Sequence, residues 1–323
     1  MATRCLRSRR QVPATHVHYH DCNRLPRPVG RPPATVAAAV NVSSTFLLIA
    51  LVLLSSALLS ACSQPPTAPH APVLIRLSGS TSMQPLLSDL AAAYSQRHAY
   101  VTFDFSVVGS TAGLEGLRRS SADLALVSRE LLPEEEFDTQ TGKRLLAYTV
   151  IAQDAIALVV NENNPLRELT LYQIRNIFEG QITSWNEVGS SAGSVVVISR
   201  EDGSGTRAVF EEWVMRDHRV TPTALIMPSS EAGRDYVATH NGTISYLSLG
   251  HLGPGVAALA VDNVPPEREA VENGTYPITR PFLLVSRPDP GLEVANFMEF
   301  ARSPAGQAIV RRTYGGAHSG TRR

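Results

Sequence analysis

From residue 73 onward, short apolar segments alternate with segments whose apolar residues recur at helical spacing, which limits the chain to folds in which helices pack on a sheet. The predicted strands are 73–78, 101–108, 122–128, 148–161, 195–199, 244–249, 256–261 and 282–286. The predicted helical stripes run through 83–94, 171–178, 207–215 and 292–301. The sequence therefore predicts an α/β protein, and 323 residues with 43% hydrophobic content favour two domains of moderate size.

The charge balance gives no reason to expect a nucleic-acid partner. The chain has 29 Lys and Arg against 29 Asp and Glu, so its formal net charge is zero. A strongly basic balance is the usual electrostatic footprint of nucleic-acid binding.

The segment 46–62, FLLIALVLLSSALLSAC, has the length of a signal-peptide apolar region and is shorter than a membrane-spanning helix. It ends in Leu59-Ser60-Ala61-Cys62, which resembles a bacterial lipobox. We expect cleavage that removes residues 1–61, a lipid on Cys62, and a Pro-rich tether over 62–72. The alternative is an uncleaved membrane anchor, and in both cases the remaining chain faces outward.

The leader also holds a group of cysteines and histidines, but it predicts no metal site. Their spacings match no compact zinc pattern, and export would remove them: Cys5, His16, His18, His20 and Cys22. After cleavage Cys62 is the one remaining cysteine, so the exported chain has no disulfide and depends on its core.

Three predicted strands end in small-residue loops that each open a helix. These loops are 79–82, 109–113 and 202–206. Each supplies free backbone N–H groups and hydroxyl donors at a positive helix end, and Arg200 lies beside the third. One such loop is ordinary helix capping, whereas three that converge predict a site for a tetrahedral oxyanion.

A catalytic role for a serine of this chain as a nucleophile is less favoured. Residues 189–193, GSSAG, match the pattern of a nucleophile elbow, but here a loop precedes them and a strand follows, which reverses the required order. Ser204 has no histidine near it in the sequence, so a catalytic role would need a distant histidine to approach in the fold.

The chain from about 73 to 314 resembles the substrate-binding proteins of bacterial ABC-type phosphate uptake systems. The matching stretches are LSGSTSMQPL, VVGSTAGLEGL, ADLALVSREL, DAIALVVNENNPLRELTLYQIRNIFEGQITSWNEVG, VVVISREDGSGTRAVFEEWV, GTISYLSLG and NGTYPITRPFLLVS. They occur in the family's order over nearly the whole exported chain.

The resemblance implies a type II periplasmic-binding-protein fold, in which two α/β lobes joined by two crossover strands close on a ligand in the cleft between them. The first lobe would combine 73–160 with 253–323, and the second would be 161–252. Hinge closure over the ligand is the expected motion.

The resemblance also implies the residues that bind phosphate. They are the positions that match the family's ligands, namely Thr81, Ser82, Ser110, Arg200, Ser204, Gly205 and Thr206. Asp202 matches an acid that pairs with the arginine and fixes the plane of its guanidinium.

One position departs from many relatives. They place an aspartate after the serine that ends the 122–128 strand, where it accepts the proton of hydrogen phosphate and rejects sulfate. This chain has Ser128-Arg129, as a subset of related sequences does. Ser128 is an expected ligand. Arg129 either adds a second cation to the site or points outward to pair with Glu130 or Glu134.

These observations predict an extracytoplasmic lipoprotein that captures inorganic phosphate and delivers it to a membrane permease. We expect a monomer with no cofactor and no chemistry of its own. The alternatives are a binding protein for sulfate or molybdate, a secreted phosphoester hydrolase, and a phosphate sensor or adhesion protein that serves no transporter.

Overall fold

The structure is a computed structural model that describes residues 70–317. The predicted leader, the lipidation site Cys62 and most of the tether lie outside the described residues. Within 70–317, no helix is both long enough and apolar enough to cross a membrane.

The described chain alternates strands and helices, as the sequence predicts. The strands are β1 (Val73–Gly79), β2 (Val101–Val107), β3 (Leu124–Val127), β4 (Ala147–Asn161), β5 (Glu168–Leu169), β6 (Val196–Arg200), β7 (Leu225–Met227), β8 (Thr243–Ser248), β9 (Val256–Val261), β10 (Thr279–Ser286) and β11 (Gly315–Gly316). The α-helices are α1 (Gln84–Ser95), α2 (Ser110–Arg118), α3 (Pro133–Glu136), α4 (Leu171–Glu179), α5 (Gly205–Phe210), α6 (Ser230–Thr239), α7 (Arg268–Glu272), α8 (Leu292–Arg302) and α9 (Pro304–Val310).

The strands form a mixed sheet in the order β2-β1-β3-β10-β4-β8-β6-β7. β1 pairs in parallel with β2 and β3, and β6 pairs in parallel with β7 and β8. The strands between these parallel groups, β10 and β4, run antiparallel to their neighbours. The α/β class is therefore confirmed.

Strand β4 belongs to both halves of the sheet. Its residues 147–155 pair with β10, and its residues 156–160 pair with β8. β9 also pairs with the end of β4, at residues 158–161. A single 15-residue strand thus carries the chain from one group of strands to the other. The second crossover, by which the chain returns to the first group, stays a prediction.

Apolar side chains on both sheet halves hold the helices that carry the predicted loops. Tyr94 of α1 packs edge-on against Phe297 of α8, with ring centroids 5.4 Å apart. Phe210 of α5 stacks on Tyr246 of β8 at 4.1 Å. Each ring is almost completely buried, so the core anchors both helices at the ends opposite their loops.

All eight predicted strands and all four predicted helical stripes are present, but several short elements were not predicted. The third stripe is a short α-helix, α5, continued by a π-helical turn at Glu211–Met215. β7 and α6 were missed, because β7 has only three residues and α6, with the sequence SEAGRDYVAT, is largely polar. The omission of α6 matters because this helix brings a serine to the site.

Helix α2 lies directly against β1, which makes Gly113 a sensitive position. A Cβ at Gly113 would lie 2.5 Å from the carbonyl oxygen of Ser78 and 2.6 Å from the Cα of Gly79. At Gly116, one turn further along the helix, the nearest atom would be Ser121 Oγ at 3.4 Å. Gly113 therefore sets the distance between α2 and the sheet.

We predict that Gly113→Ala lowers the free energy of unfolding by roughly 1–3 kcal/mol, because the new methyl group has to push two backbones apart. Gly116→Ala, in the same helix, should raise it by roughly 0.5–1 kcal/mol, since alanine loses less backbone entropy than glycine. Urea unfolding of the two variants checks this. Equal effects would show that α2 can shift on the sheet.

Candidate functional site

The first predicted loop joins β1 to α1. β1 ends at Gly79, whose φ of +140° suits glycine, and a 3-10 turn over Thr81–Met83 follows. Pro85 lies in the first turn of α1, where no internal N–H donor is needed. The chain thus turns sharply after β1 and leaves the hydroxyls of the loop on the buried side.

The second and third loops contact each other directly. Gly109 (φ +94°) precedes α2, and Gly203 (φ +84°) precedes α5. The backbone N–H of Thr111 donates to the carbonyl of Gly203 at 3.2 Å. Ser204 caps α5, its Oγ accepting from the N–H of Arg207 at 3.3 Å. The predicted loops from β2 and β6 therefore meet, although they are far apart in the sequence.

Side chains from these loops, from the residue after β3 and from the start of α6 form one buried group, which we call the hydroxyl cluster. Its members are Ser80, Thr81, Ser82, Ser110, Ser128, Thr206 and Ser230, each at most 3% exposed. Ser82 Oγ lies 2.6 Å from Thr206 Oγ1 and 3.1 Å from Ser230 Oγ. Ser80 Oγ donates to Ser128 Oγ at 2.8 Å. Hydroxyls from both halves of the sheet are thus in hydrogen-bond contact.

Gly205 brings the third loop into close contact with Ser110 and Ser128. A Cβ at this position would be 2.4 Å from Ser110 Oγ and 2.5 Å from Ser128 Oγ. A side chain here would push the third loop away from the second loop and from Ser128. Glycine is therefore required at 205 for close approach, and its N–H remains available at the start of α5.

Arg200 brings a cation to the cluster from the end of β6. Its side chain is 2% exposed, and it donates from Nη1 to Ser230 Oγ at 2.9 Å and from Nη2 to Thr81 Oγ1 at 3.1 Å. Its Nε and Nη2 also donate to the two carboxylate oxygens of Glu201, at 2.8 and 2.9 Å. The guanidinium plane is thus fixed by Glu201.

The predicted pairing of Asp202 with Arg200 is wrong. Asp202 instead accepts from Arg207 Nη1 at 2.6 Å, and its side chain is 96% exposed. The adjacent acid, Glu201, fixes the guanidinium plane of Arg200 instead, because its side chain lies on the same side of the loop as the guanidinium.

Arg129 does not supply a cation to the cluster. Its Nη1 and Nη2 donate to the two carboxylate oxygens of Glu135, at 2.7 and 2.8 Å, and Nη1 also donates to the carbonyl of Glu130. Burial raises the pKa of Glu135, but the hydrogen bonds from Arg129 and from the Leu132 N–H outweigh this and lower it overall. Arg129 is paired, as the second alternative expects, but the ion pair is with Glu135 in place of the expected Glu130 or Glu134, and the side chain is only 12% exposed and does not point outward.

A second arginine, Arg280 of β10, does reach the cluster and was not predicted. Arg280 Nη1 donates to Thr206 Oγ1 at 2.6 Å and to Ser128 Oγ at 3.3 Å. Its Nε and Nη2 donate to Asp154 Oδ2 at 3.0 and 2.9 Å, and both side chains are fully buried. Burial lowers the pKa of Arg280 and raises that of Asp154, and their mutual attraction opposes both shifts. The one signal in the sequence was an arginine inside the apolar run of residues 278–285.

Ser230 was also missed, because the helix that carries it was not predicted. It begins α6, after Ser229 has capped the helix by accepting from the Ala232 N–H at 3.0 Å. The N–H of Ser230 donates to Thr81 Oγ1 at 3.2 Å. The start of α6 therefore joins the three predicted loops and the loop after β3.

His251 borders the cluster without entering it. Its Nε2 lies 3.1 Å from the carbonyl oxygen of Thr81, and the side chain is buried. Burial lowers the pKa of His251 to about 4, opposed by the bond to Thr81 and helped by the positive charges of Arg234, Arg200 and Arg280. At neutral pH His251 is therefore an uncharged donor to a carbonyl group.

A cavity of about 1280 Å³ lies beside the cluster. Ser204 and Arg280 contribute to its wall together with Arg129, Tyr148 and Arg207. Among residues 70–317, no group of three or more His, Cys, Asp or Glu side chains is placed to hold a metal ion. The site is thus one of hydrogen-bond donors and paired charges.

Comparisons with known proteins agree on one family. The PBP superfamily domain matches residues 66–305. A crystal structure from Clostridium perfringens, described as a phosphate ABC transporter substrate-binding protein with bound phosphate, is 34% identical and has a TM-score of 0.70, covering 76% of this chain and 100% of that chain. An ABC-type phosphate transport receptor from Vibrio cholerae is 31% identical over 74% of this chain and 97% of that one, with a TM-score of 0.59. The phosphate-binding protein PstS of Bacillus subtilis (strain 168) is 28% identical over 63% of this chain and 67% of its own length.

The two neighbouring acids of the third loop should differ in their effect on stability. Glu201→Gln leaves the buried guanidinium of Arg200 without its carboxylate, so the free energy of unfolding should fall by about 1–3 kcal/mol. Asp202→Asn removes an exposed partner and should change it by less than about 0.5 kcal/mol. Denaturant unfolding without added anion measures both. A larger loss in Asp202→Asn would restore the pairing expected from the sequence.

The neutral His251 predicts a pH dependence of stability. Its pKa in the folded chain is about 4, against 6.5 for the ordinary group, so the unfolded chain binds a proton first as the pH falls. Its contribution is complete above about pH 6.5 and is lost toward pH 4, by up to roughly 3 kcal/mol.

Urea unfolding of the wild type and of His251→Gln at pH 7, 6 and 5 isolates this contribution, since the carboxylates titrate alike in both proteins. The difference in the free energy of unfolding should shrink as the pH falls. A variant of the exposed His240 serves as the control. A constant difference across the series would contradict the argument.

Proposed function

We infer that this chain, which belongs to the PBP superfamily and within it to the phosphate-binding proteins of ABC transporters, captures inorganic phosphate and delivers it to a membrane permease. The observation that carries this proposal is the buried hydroxyl cluster, into which Arg200 donates from one half of the sheet. The relatives' known ligand and the chemistry of this cluster point to the same class of anion.

The donor set suits a small, highly charged anion. A dianion buried away from water has to be met by many donors, because an unpaired buried charge is very costly. Hydrogen bonds to charged groups contribute about 1.5–3 kcal/mol each, so several of them offset the loss of hydration. We propose as ligands the residues expected from the resemblance, Thr81, Ser82, Ser110, Ser128, Arg200, Ser204, Gly205 and Thr206.

The arrangement of the strands supports a hinge between two lobes. The proposed ligands come from loops on both halves of the sheet, and β4 runs through both. We propose that the lobes are 73–160 with 253–323, and 161–252. With phosphate bound, hydroxyls of each lobe would donate to the phosphate oxygens instead of bonding to hydroxyls of the other lobe. Closure of the lobes would therefore depend on the ligand.

We place the protein outside the cytoplasm, as expected for binding proteins that serve an ABC permease. The proposal includes cleavage before Cys62, a lipid on its thiol and a tether to the first strand. The protein acts as a monomer and performs no chemistry. In support, the Nε2 of His251 is bonded to the backbone carbonyl of Thr81, and among the described residues His251 makes no hydrogen bond to a hydroxyl of the cluster, so it is not placed to activate a serine there.

Isothermal titration of the purified protein with phosphate tests the proposal. We expect one phosphate per monomer, and Arg200→Gln should weaken binding by at least about tenfold, because it removes a charge-assisted donor. Arg76→Gln is the control, since Arg76 pairs with Asp123 and bonds to none of the cluster residues. The absence of any heat or stabilisation with phosphate would refute the ligand assignment.

A further inference from the structure

Arg280 is oriented so that one end of its guanidinium faces the hydroxyl cluster and the other faces Asp154. The Nη1 end donates to Thr206 and Ser128, which belong to two different loops. The Nε and Nη2 nitrogens both donate to Asp154 Oδ2. Asp154 therefore holds the fork in the one orientation that turns Nη1 toward the proposed ligands.

The two buried arginines approach the same cluster from different strands. A continuous chain of hydrogen bonds connects them, from Arg280 Nη1 to Thr206 Oγ1, then to Ser82 Oγ, Ser230 Oγ and Arg200 Nη1, with steps of 2.6, 2.6, 3.1 and 2.9 Å. An anion that takes the place of a hydroxyl partner in this chain would be within reach of both guanidinium groups.

The carboxylates next to these arginines are already engaged. Both oxygens of Glu201 accept from Arg200. Asp154 Oδ2 accepts twice from Arg280, and its Oδ1 accepts from the Leu249 N–H at 3.1 Å. The loop after β3 carries Arg129, and that side chain is bound to Glu135. None of these carboxylates is therefore placed to accept a proton from a bound anion.

We propose that Arg280, positioned by Asp154, is a second cationic ligand of the anion, and that the site therefore takes tetrahedral dianions as a class, sulfate as well as phosphate. This rests on the proposed function and deepens it. A carboxylate acceptor rejects sulfate, because sulfate has no proton to donate and two negative charges then face each other. Because both neighbouring carboxylates are bound to arginines, the site selects its ligand by charge and shape and not by whether the ligand carries a proton.

The class of ligand is tested by titrating the full-length protein with phosphate and with sulfate at the same pH and ionic strength. We expect the two dissociation constants to lie within about tenfold of each other, a difference of about 1.4 kcal/mol, and each anion to displace the other. Tight phosphate binding with sulfate weaker by more than about a thousandfold would overturn the inference and leave the proposed function intact. A protein that binds neither anion would instead refute the proposed function.

The role of Arg280 needs variants that keep the fold. Arg280→Gln alone leaves the Asp154 carboxylate buried without its partner, so the test uses Arg280→Gln with Asp154→Asn, which removes both charges. The matched control is Arg76→Gln with Asp123→Asn, which removes a partly buried ion pair that bonds to none of the cluster residues. Thermal unfolding establishes that each double variant is folded.

The Arg280–Asp154 double variant should bind both anions at least about tenfold more weakly, and the Arg76–Asp123 control should bind within about twofold of the wild type. Arg280→Lys keeps a cation without the fork and should recover part of the lost affinity. A folded Arg280–Asp154 double variant with wild-type affinity for both anions would remove Arg280 from the site.

Discussion

The buried ion pair between Asp154 and Arg280 fixes the geometry on which the site depends. The two residues lie directly opposite each other on β4 and β10, two residues before β4 begins to pair with β8. A buried pair is stable only when its geometry is good and its remaining donors are satisfied, and removing one partner typically costs about 3–5 kcal/mol. Because register places both residues, the guanidinium that faces Thr206 and Ser128 is held by the sheet and not by a loop.

The site combines rigid cations with adaptable hydroxyls. Arg200 and Arg280 are both on strands, and each is held by a carboxylate. The serines and threonines of the hydroxyl cluster lie on loops and helix starts, and an O–H can rotate to donate to whichever oxygen is near. This division lets the cluster exchange its internal hydrogen bonds for bonds to an anion, while the charged groups keep their positions.

The local part of this design was readable from the sequence, and the part made by distant contacts was not. Glycine at 109 and 203 marks turns with positive φ before a helix, which is a local pattern. Ser230 meets Thr81 across 149 residues, and it starts a helix with few apolar positions. Whether Glu201 or Asp202 holds Arg200 depends on side-chain directions that spacing alone does not settle.

Arg129 adds no net charge to the surroundings of the cluster. Arg129 is neutralised by Glu135, so the ions next to the cluster are two arginines and two carboxylates, with a formal sum of 2 − 2 = 0. An aspartate in that loop would make the sum negative and would favour a ligand that brings its own proton. Without such an aspartate, a dianion is held by oriented donors in surroundings with no net charge. The sequence suggested Arg129 as the second cation of the site, whereas the arginine that decides the ligand is Arg280, 151 residues further along the chain.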